Sequence, residues 1–214
     1  MVDTKTLIKA SLEAGREFLR PPMERDPAQR AMPSLVPIRS LGENHRDRIA
    51  EHLLALAPHD RYLRFGHWSS DEQIRRYVDS LDFERDEIFG IYNRRLELIA
   101  VAHLAYAKDA GHASCAEFGV SVLPSARGRG YGARLFDRAA MHAANDGVSL
   151  MFIHALSENA AMLKIARNAG ARVERDGTES EAYLRLPPAT LDSRVAEMIE
   201  EQIAQTDYLS LIHI

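Results

Sequence analysis

The residues whose types and spacing can do chemistry concentrate in one stretch, Cys115-Ala-Glu-Phe-Gly-Val-Ser-Val-Leu-Pro-Ser-Ala-Arg-Gly-Arg-Gly-Tyr-Gly-Ala133. An apolar, strand-like run gives way to a loop with Gly128, Gly130 and Gly132, and the loop runs straight into an amphipathic helical pattern. Glycines let successive backbone N–H groups point inward with no side chain blocking approach. A helix N-terminus adds roughly half a positive charge. Gly128 to Ala133 therefore reads as a cradle for a phosphate or pyrophosphate, with Arg127 and Arg129 adding charge at its rim. Glycines before a helix also occur in a plain flexible connection. A Walker loop would need Gly-Lys-Ser/Thr, and Gly132 is followed by Ala133-Arg134. Gly128-x-Gly130-x-x-Ala133 fits a dinucleotide fingerprint, with Glu158 ending the next strand, but four residues, 124–127, separate strand from glycine where a Rossmann turn is tight.

Few other side chains suggest a centre of their own. Cys115, the single cysteine, reads as an inert buried thiol sharing a strand face with Glu117. The nine histidines show no paired metal-ligand spacing, so no metal site is expected. His103 and His154 fall in strands and read as satisfied core groups. The chain carries 27 Lys and Arg against 31 Asp and Glu, a net charge of −4, so it lacks the basic excess of a nucleic-acid binder. Asp3, Glu13 and Glu17 interrupt the N-terminus, and the run Leu98 to Ala107 is about half of the ~20 residues a membrane span needs. No membrane partner and a cytoplasmic location are the expectation.

These residues need elements to position them. With 46% hydrophobic and 27% charged residues, the chain has ample material for a core. Residues 2–20 follow a helical stripe through Leu7, Ile8, Leu12, Phe18 and Leu19. Pro21-Pro22 stops it, and 21–34 reads as a linker. A strand is expected at 36–39, helices at 44–57 and 70–81 (capped by Ser69 or Ser70), and strands at 87–93, 97–107 and 113–123, with a turn at Asn93-Arg94-Arg95. After the glycine segment come a helix ending at Asn145-Asp146-Gly147, a strand at 149–156, a helix at 159–169, strands at 171–175 and 181–186, and a last helix from Ala189. This order predicts an α/β (α+β) fold: a mixed, twisted sheet of six or seven strands with helices on both faces. The expected divisions are 1–34 (helix and linker), 35–187 (the main domain), 188–208 (a helix) and 209–214, which matches a translated sequencing adapter.

The ordered set of motifs resembles the GNAT superfamily of acyl-CoA-dependent N-acyltransferases. Arg127-x-x-Gly130-x-Gly132 is similar to its Arg/Gln-x-x-Gly-x-Gly/Ala signature, with Val120-x-Val122 before it and Asn159 and Gly170 after it. The residues His59-Asp-Arg-Tyr-Leu-Arg-Phe65, Ala116-Glu-Phe118 and Asn159-x-x-Met162 look most like the catalytic domain of bacterial protein-lysine acetyltransferases. The resemblance spans residues 35–187. It implies an N-acetyltransferase with acetyl-CoA as donor and a primary amine, on a protein lysine or a small molecule, as acceptor. Gly128, Arg129, Gly130, Tyr131, Gly132 and Ala133 would then hold the coenzyme A pyrophosphate. The pantetheine would lie along 118–122, with the Val120 N–H on the thioester carbonyl and Asn159 beside the coenzyme.

Family position makes Glu117 the candidate general base, with burial raising its pKa; the alternative is an ion pair with Arg39 or Arg64. Simple alternation puts Glu117 and Val120 on opposite faces, which a bulge in this strand would change. Arg64 and Phe65, with Arg61 and Trp68, fall in the connection between the first two body helices and are candidate acceptor contacts. One departure stands out: the tyrosine that many members use as general acid is Ala166 here, and neither Tyr131 nor Tyr183 is assigned its role, which leaves the general acid open. A non-catalytic acyl-CoA sensor is the competing reading.

Overall fold

Alternation along the central strands sends apolar side chains to both faces of one sheet, and helices cover both. The computed structural model describes residues 36–107 and 114–212. Seven strands, β1 (Arg39–Ser40), β2 (Glu87–Tyr92), β3 (Leu98–Tyr106), β4 (Cys115–Val122), β5 (Leu150–Leu156), β6 (Arg172–Asp176) and β7 (Glu179–Arg185), lie in the order β1-β2-β3-β4-β5-β7-β6. Among them only β4 and β5 pair in parallel. The helices are α1 (Arg46–Leu54), α2 (Pro58–Phe65), α3 (Asp71–Asp79), α4 (Tyr131–Asn145), α5 (Ala160–Asn168) and α6 (Leu191–Ile212). A parallel pair cannot be joined by a hairpin, and α4 is the crossover between β4 and β5. The expected mixed sheet with helices on both faces is what forms. The expected helix at 2–20 and linker at 21–34 lie outside the described residues.

One core joins Phe118, Leu135, Phe136, Met151 and Ile153 beneath α4 and α5. The other joins Ile49, Leu53, Ile74, Val78, Ile88 and Val101 beneath α1 and α3. Local signals set several boundaries as expected. Ser70 accepts from the Gln73 amide while the Gln73 side chain accepts from the Ser70 amide, closing a capping box at α3. Asn93 Oδ1 accepts from the amides of Arg95 and Glu97, which fixes the β2–β3 turn.

Three expectations need correction. The expected connection between α1 and α3 contains a further helix, α2. Pro58 occupies its first turn and Gly66, at φ 76°, ends it, but no residue of α2 is fully buried, so its apolar stripe is weak. At the sheet edge only Arg39 and Ser40 pair, rather than residues 36–39. The β6–β7 hairpin closes earlier than expected, with Asp176 opposite Glu179.

The last helix docks the opposite way from its apolar pattern. Leu191, Val195, Met198, Ile199 and Ile203 are exposed, while Ala204 is fully buried. The inward face is polar. Buried Arg138 of α4 donates from Nη2 to Glu201 at 3.2 Å, and its Nη1 lies 2.9 Å from Glu197 as a charge contact. His142 and Asn145 also reach Glu197, at 2.5 and 2.6 Å. Arg138 has few ways to satisfy a charge so deep, and the carboxylates of α6 provide them, so the polar side turns inward. The helix continues through residues 209–212 without a break.

On the other face, His52 is buried between α1 and the sheet. Its Nδ1 lies 2.7 Å from the Leu98 carbonyl and its Nε2 2.8 Å from Ser121 Oγ. Nδ1–H therefore donates to the carbonyl and Nε2 accepts from the hydroxyl, which fixes a neutral imidazole. Burial is the main cause lowering its pKa to about 4. The unfolded imidazole takes a proton below the ordinary histidine value of 6.5, and the folded one does so only near 4. Between these values the unfolded chain holds the extra proton, so stability rises with pH and is lost as pH falls. We expect urea unfolding to show the wild type losing about 3 kcal/mol more than His52→Gln between pH 7 and the low end of this window. Equal losses in the two proteins would contradict this role for His52.

Candidate active site

The site begins where β4 and β5 part. Their pairing stops at Glu117 opposite Phe152. On its other edge β4 follows β3 without a register shift from Tyr106–Ala116 to Ala100–Val122. The Ala107 amide donates to the Cys115 carbonyl, and the Leu123 amide donates to the Ile99 carbonyl. Backbone groups alternate in direction along a strand, so odd-numbered residues of β4 bond to β3. Val120 and Val122 therefore aim their amides into the gap. No bulge re-aims β4; the irregularity in this part of the sheet is at Ile91/Tyr92, between β2 and β3. Glu117 and Val120 do point their side chains to opposite faces. The role expected of Val120 falls to its in-plane amide rather than its side chain, so the opposite side-chain faces are no obstacle to that expectation.

Beyond the strand, a single turn at Pro124–Ala126 delivers the chain to the glycines. Gly128 and Gly130 have φ of 75° and 77°, a left-handed conformation that suits glycine. A Cβ on Gly132 would come within 3.1 Å of Ile165 Cδ1, so this position packs closely on α5. The first bond of α4 runs from the Arg134 amide to the Gly130 carbonyl. The amides of Tyr131, Gly132 and Ala133 accordingly have no intrahelical acceptor. These residues, with Val120 and Val122, line a cavity of 390 Å³. Arg127 also lines it: its Nε donates to the Val122 carbonyl at 3.1 Å, and its Nη2 pairs with Asp60 of α2 at 2.8 Å. Arg129 is exposed and is not part of this lining.

A second cleft, of 620 Å³, opens on the α2 side of the gap and holds Arg64, Phe65, Glu117, Glu179 and Glu181. Glu117 is exposed to it rather than buried among apolar neighbours, so the expected burial is not there. Neither proposed ion pair forms: Arg39 stacks on Tyr208 at 3.6 Å, Arg64 donates to Tyr77, and among the described residues no bridge joins either to Glu117. His154 is not a core group either; it lies exposed, 3.5 Å from Glu181. His103 is half-buried and hydrogen-bonded, as expected. Cys115 is a free, partly buried thiol. Ala166, at the usual tyrosine position, is fully buried. Tyr131 lines the smaller cavity, while Tyr183 lies outside both linings and bonds to Glu181. Sequence reasoning missed Tyr77, whose hydroxyl reaches toward the cleft through Arg64. Tyr77 shares one side of the expected helix at 70–81 with Ile74, Val78 and Leu81, and that apolar company gave no sign of a polar role.

Asn159 stands between the two cavities and caps α5. Its Oδ1 accepts from the Met162 amide at 3.1 Å, and its Nδ2 donates to the Leu63 carbonyl of α2 at 3.3 Å. One side chain thus ties the helix after β5 to the helix that roofs the cleft.

The comparisons with known proteins agree with this geometry. The family model described as an acetyltransferase (GNAT) domain matches residues 37–172, more than half of the chain. The chain belongs to the GNAT family of acyl-CoA-dependent N-acyltransferases. Among solved structures it is similar to the GNAT domain of S. lividans PAT, with a TM-score of 0.60 and 21% identity over 70% of this chain and 89% of that one. It is also similar to a spermidine N-acetyltransferase chimera from Vibrio cholerae and hSSAT, with a TM-score of 0.54 and 18% identity over 71% and 96%. A ribosomal L7/L12 α-N-protein acetyltransferase, RimL, in complex with coenzyme A matches with a TM-score of 0.53 and 17% identity over 70% and 93%. These likenesses establish the fold. No curated protein sequence matches the chain.

The dual role of Asn159 gives a check on the site's framework. Asn159→Ala should cost about 1 kcal/mol in urea unfolding through the lost cap. Asn159→Asp should keep most of it, because a carboxylate still accepts from Met162. Equal costs for the two variants would show that the Leu63 bond, not the cap, is what matters.

Proposed function

We propose that the protein transfers an acetyl group from acetyl-CoA to a primary amine, on a protein lysine or a small molecule, by direct attack in a ternary complex. The observation that carries this reading is the gap itself: the Val120 amide faces the cavity that contains the glycine cradle, and Glu117 lines the cleft on the other side. In this reading Gly128, Gly130, Tyr131, Gly132 and Ala133 hold the pyrophosphate and Arg127 and Arg129 supply charge at the rim. The pantetheine arm replaces the missing strand between β4 and β5, bonding at Val120 and Val122 and passing Asn159. The Val120 amide then polarises the thioester carbonyl.

A lysine-like amine has a pKa of ~10.4, so its neutral form costs about 4.6 kcal/mol at pH 7. Glu117 takes the proton directly or through one water. The charge of the cleft supports a cationic acceptor: Glu117, Glu179 and Glu181 face it from β4 and β7. With alanine at 166, the thiolate leaves without a dedicated acid, which its ~8.5 pKa makes tolerable. The same alanine is the specific observation behind a second reading, a non-catalytic acyl-CoA sensor.

Calorimetric titration should give saturable acetyl-CoA binding that weakens at least about tenfold in Gly130→Val, because a β-branched residue resists positive φ. Glu117→Gln should keep that binding and lose at least about tenfold in acyl transfer to an amine panel. Absence of binding in the wild type would reject both readings, and binding without transfer would select the sensor.

A further inference from the structure

Leu63, Arg64, Val120, Asn159 and Met162 line both cavities, and Arg64 is the charged residue among them. Its guanidinium is held by a chain of side chains running back into the sheet. Arg64 Nη2 donates to Tyr77 Oη at 3.1 Å; Tyr77 Oη lies 2.8 Å from His103 Nδ1, and His103 Nε2 lies 3.1 Å from Asp86 Oδ2. Buried Asp86 is further fixed by Arg85 Nε at 2.7 Å and by the Tyr106 amide at 3.3 Å. Proton positions follow from donor and acceptor roles. A carboxylate only accepts, so His103 Nε2–H donates to it and Nδ1 is left as an acceptor. Tyr77 O–H then donates to Nδ1, and a Tyr77 lone pair accepts from Arg64. Burial, with the charge of Arg64 acting in the same direction and Asp86 opposing, lowers the His103 pKa, which keeps this neutral arrangement.

The guanidinium lies face-on against β4. A Cβ built on Gly119 would sit 2.7 Å from Arg64 Cζ and Nη1 and 2.8 Å from Nη2, so residue 119 must be glycine for Arg64 to rest there. Gly119 directly precedes Val120, whose amide enters the gap. Among the described residues no carboxylate forms an ion pair with Arg64.

We propose that Arg64 is a catalytic cation of the transfer reaction, and that Tyr77, His103 and Asp86 are positioning residues that hold it. This rests on the acyl-transfer reading above. The amine nitrogen forms a bond to the thioester carbon, and the carbonyl electron pair moves to oxygen. Collapse restores the carbonyl and breaks the carbon–sulfur bond, giving the amide and the coenzyme thiolate. The amine's proton passes to Glu117 and leaves through solvent, which also supplies the thiolate's proton. Arg64 stands beside the oxygen held by the Val120 amide and attracts its growing negative charge. The same cation makes an ammonium unfavourable at the attacking position. The groups facing the bound amine are Arg64 of α2, His67 just after it, Glu117 of β4, His154 of β5, and Glu179 and Glu181 of β7. The glutamates draw a cationic amine into the cleft, and Arg64 favours its neutral form at the reacting carbon.

The test uses the full chain, acetyl-CoA, and poly-L-lysine and 1,4-diaminobutane as acceptors. Arg64→Met should lower kcat by about 100-fold, with the KM for acetyl-CoA within about twofold of the wild type. The alkaline rise of kcat should move up by about one pH unit. Arg64→Lys should recover part of the rate, and Tyr77→Phe should lower kcat with unchanged coenzyme A affinity. Gly119→Ala, which keeps the arginine but displaces it, should also lower kcat. It should have no further effect in the Arg64→Met background. An Arg64→Met protein that binds coenzyme A and retains its kcat overturns the proposal, as does a loss confined to KM or full additivity with Gly119→Ala. A wild type that binds acetyl-CoA but transfers to neither acceptor contradicts the underlying transfer reading, and this role falls with it.

Discussion

The structure depends on two strands that cannot stay together. β4 is committed to β3, and β5 pairs with β7 from Leu150–Arg185 to Leu156–Glu179. The β4–β5 ladder, caught between these, closes over only Cys115, Ala116 and Glu117. Past that point the edge of β4 presents main-chain donors and acceptors to a space that no strand fills. Unpaired backbone groups in a sheltered site cost free energy, so the gap favours an extended ligand able to complete the ladder. The other features of the site are arranged around this edge. The loop after β4 turns once into the cradle, α4 starts beneath it, and Asn159 pins the far side.

Charge is distributed along the same axis. The cradle end has free amides and Arg127, the outer cleft has Glu179 and Glu181, and the junction has Arg64. A polyanionic carrier and a cationic amine would each meet complementary charge on entry, from opposite sides. The polar chain from Arg64 to Asp86 crosses from helix to sheet, so the position of the cation is set by the fold rather than by a flexible loop.

Much of this was legible in the sequence because the informative signals are local. Glycine spacing, the Ser70 cap, the Asn93 turn and the strand periodicity each act over a few residues. The misses involve partners distant in sequence. Glu117 was expected to be buried because its strand neighbours are apolar, but its exposure is decided by where β5 departs. α2 was missed because its burial is shared with the cleft and leaves no full apolar stripe. The orientation of α6 was hidden because Arg138 of α4, not the hydrophobic pattern of α6 itself, determines which face turns inward. Tyr77 reads as one more apolar-stripe residue until α3 is placed over β3 and His103 comes within reach.

The most direct test of the parted strands as the carrier site is amide hydrogen exchange followed residue by residue, with and without acetyl-CoA. Saturating ligand should slow exchange at Val120 and Val122 and at Tyr131, Gly132 and Ala133. Gly119 and Ser121, already bonded to β3, should change little. Protection elsewhere on the molecule, with these amides unaffected, would contradict the account.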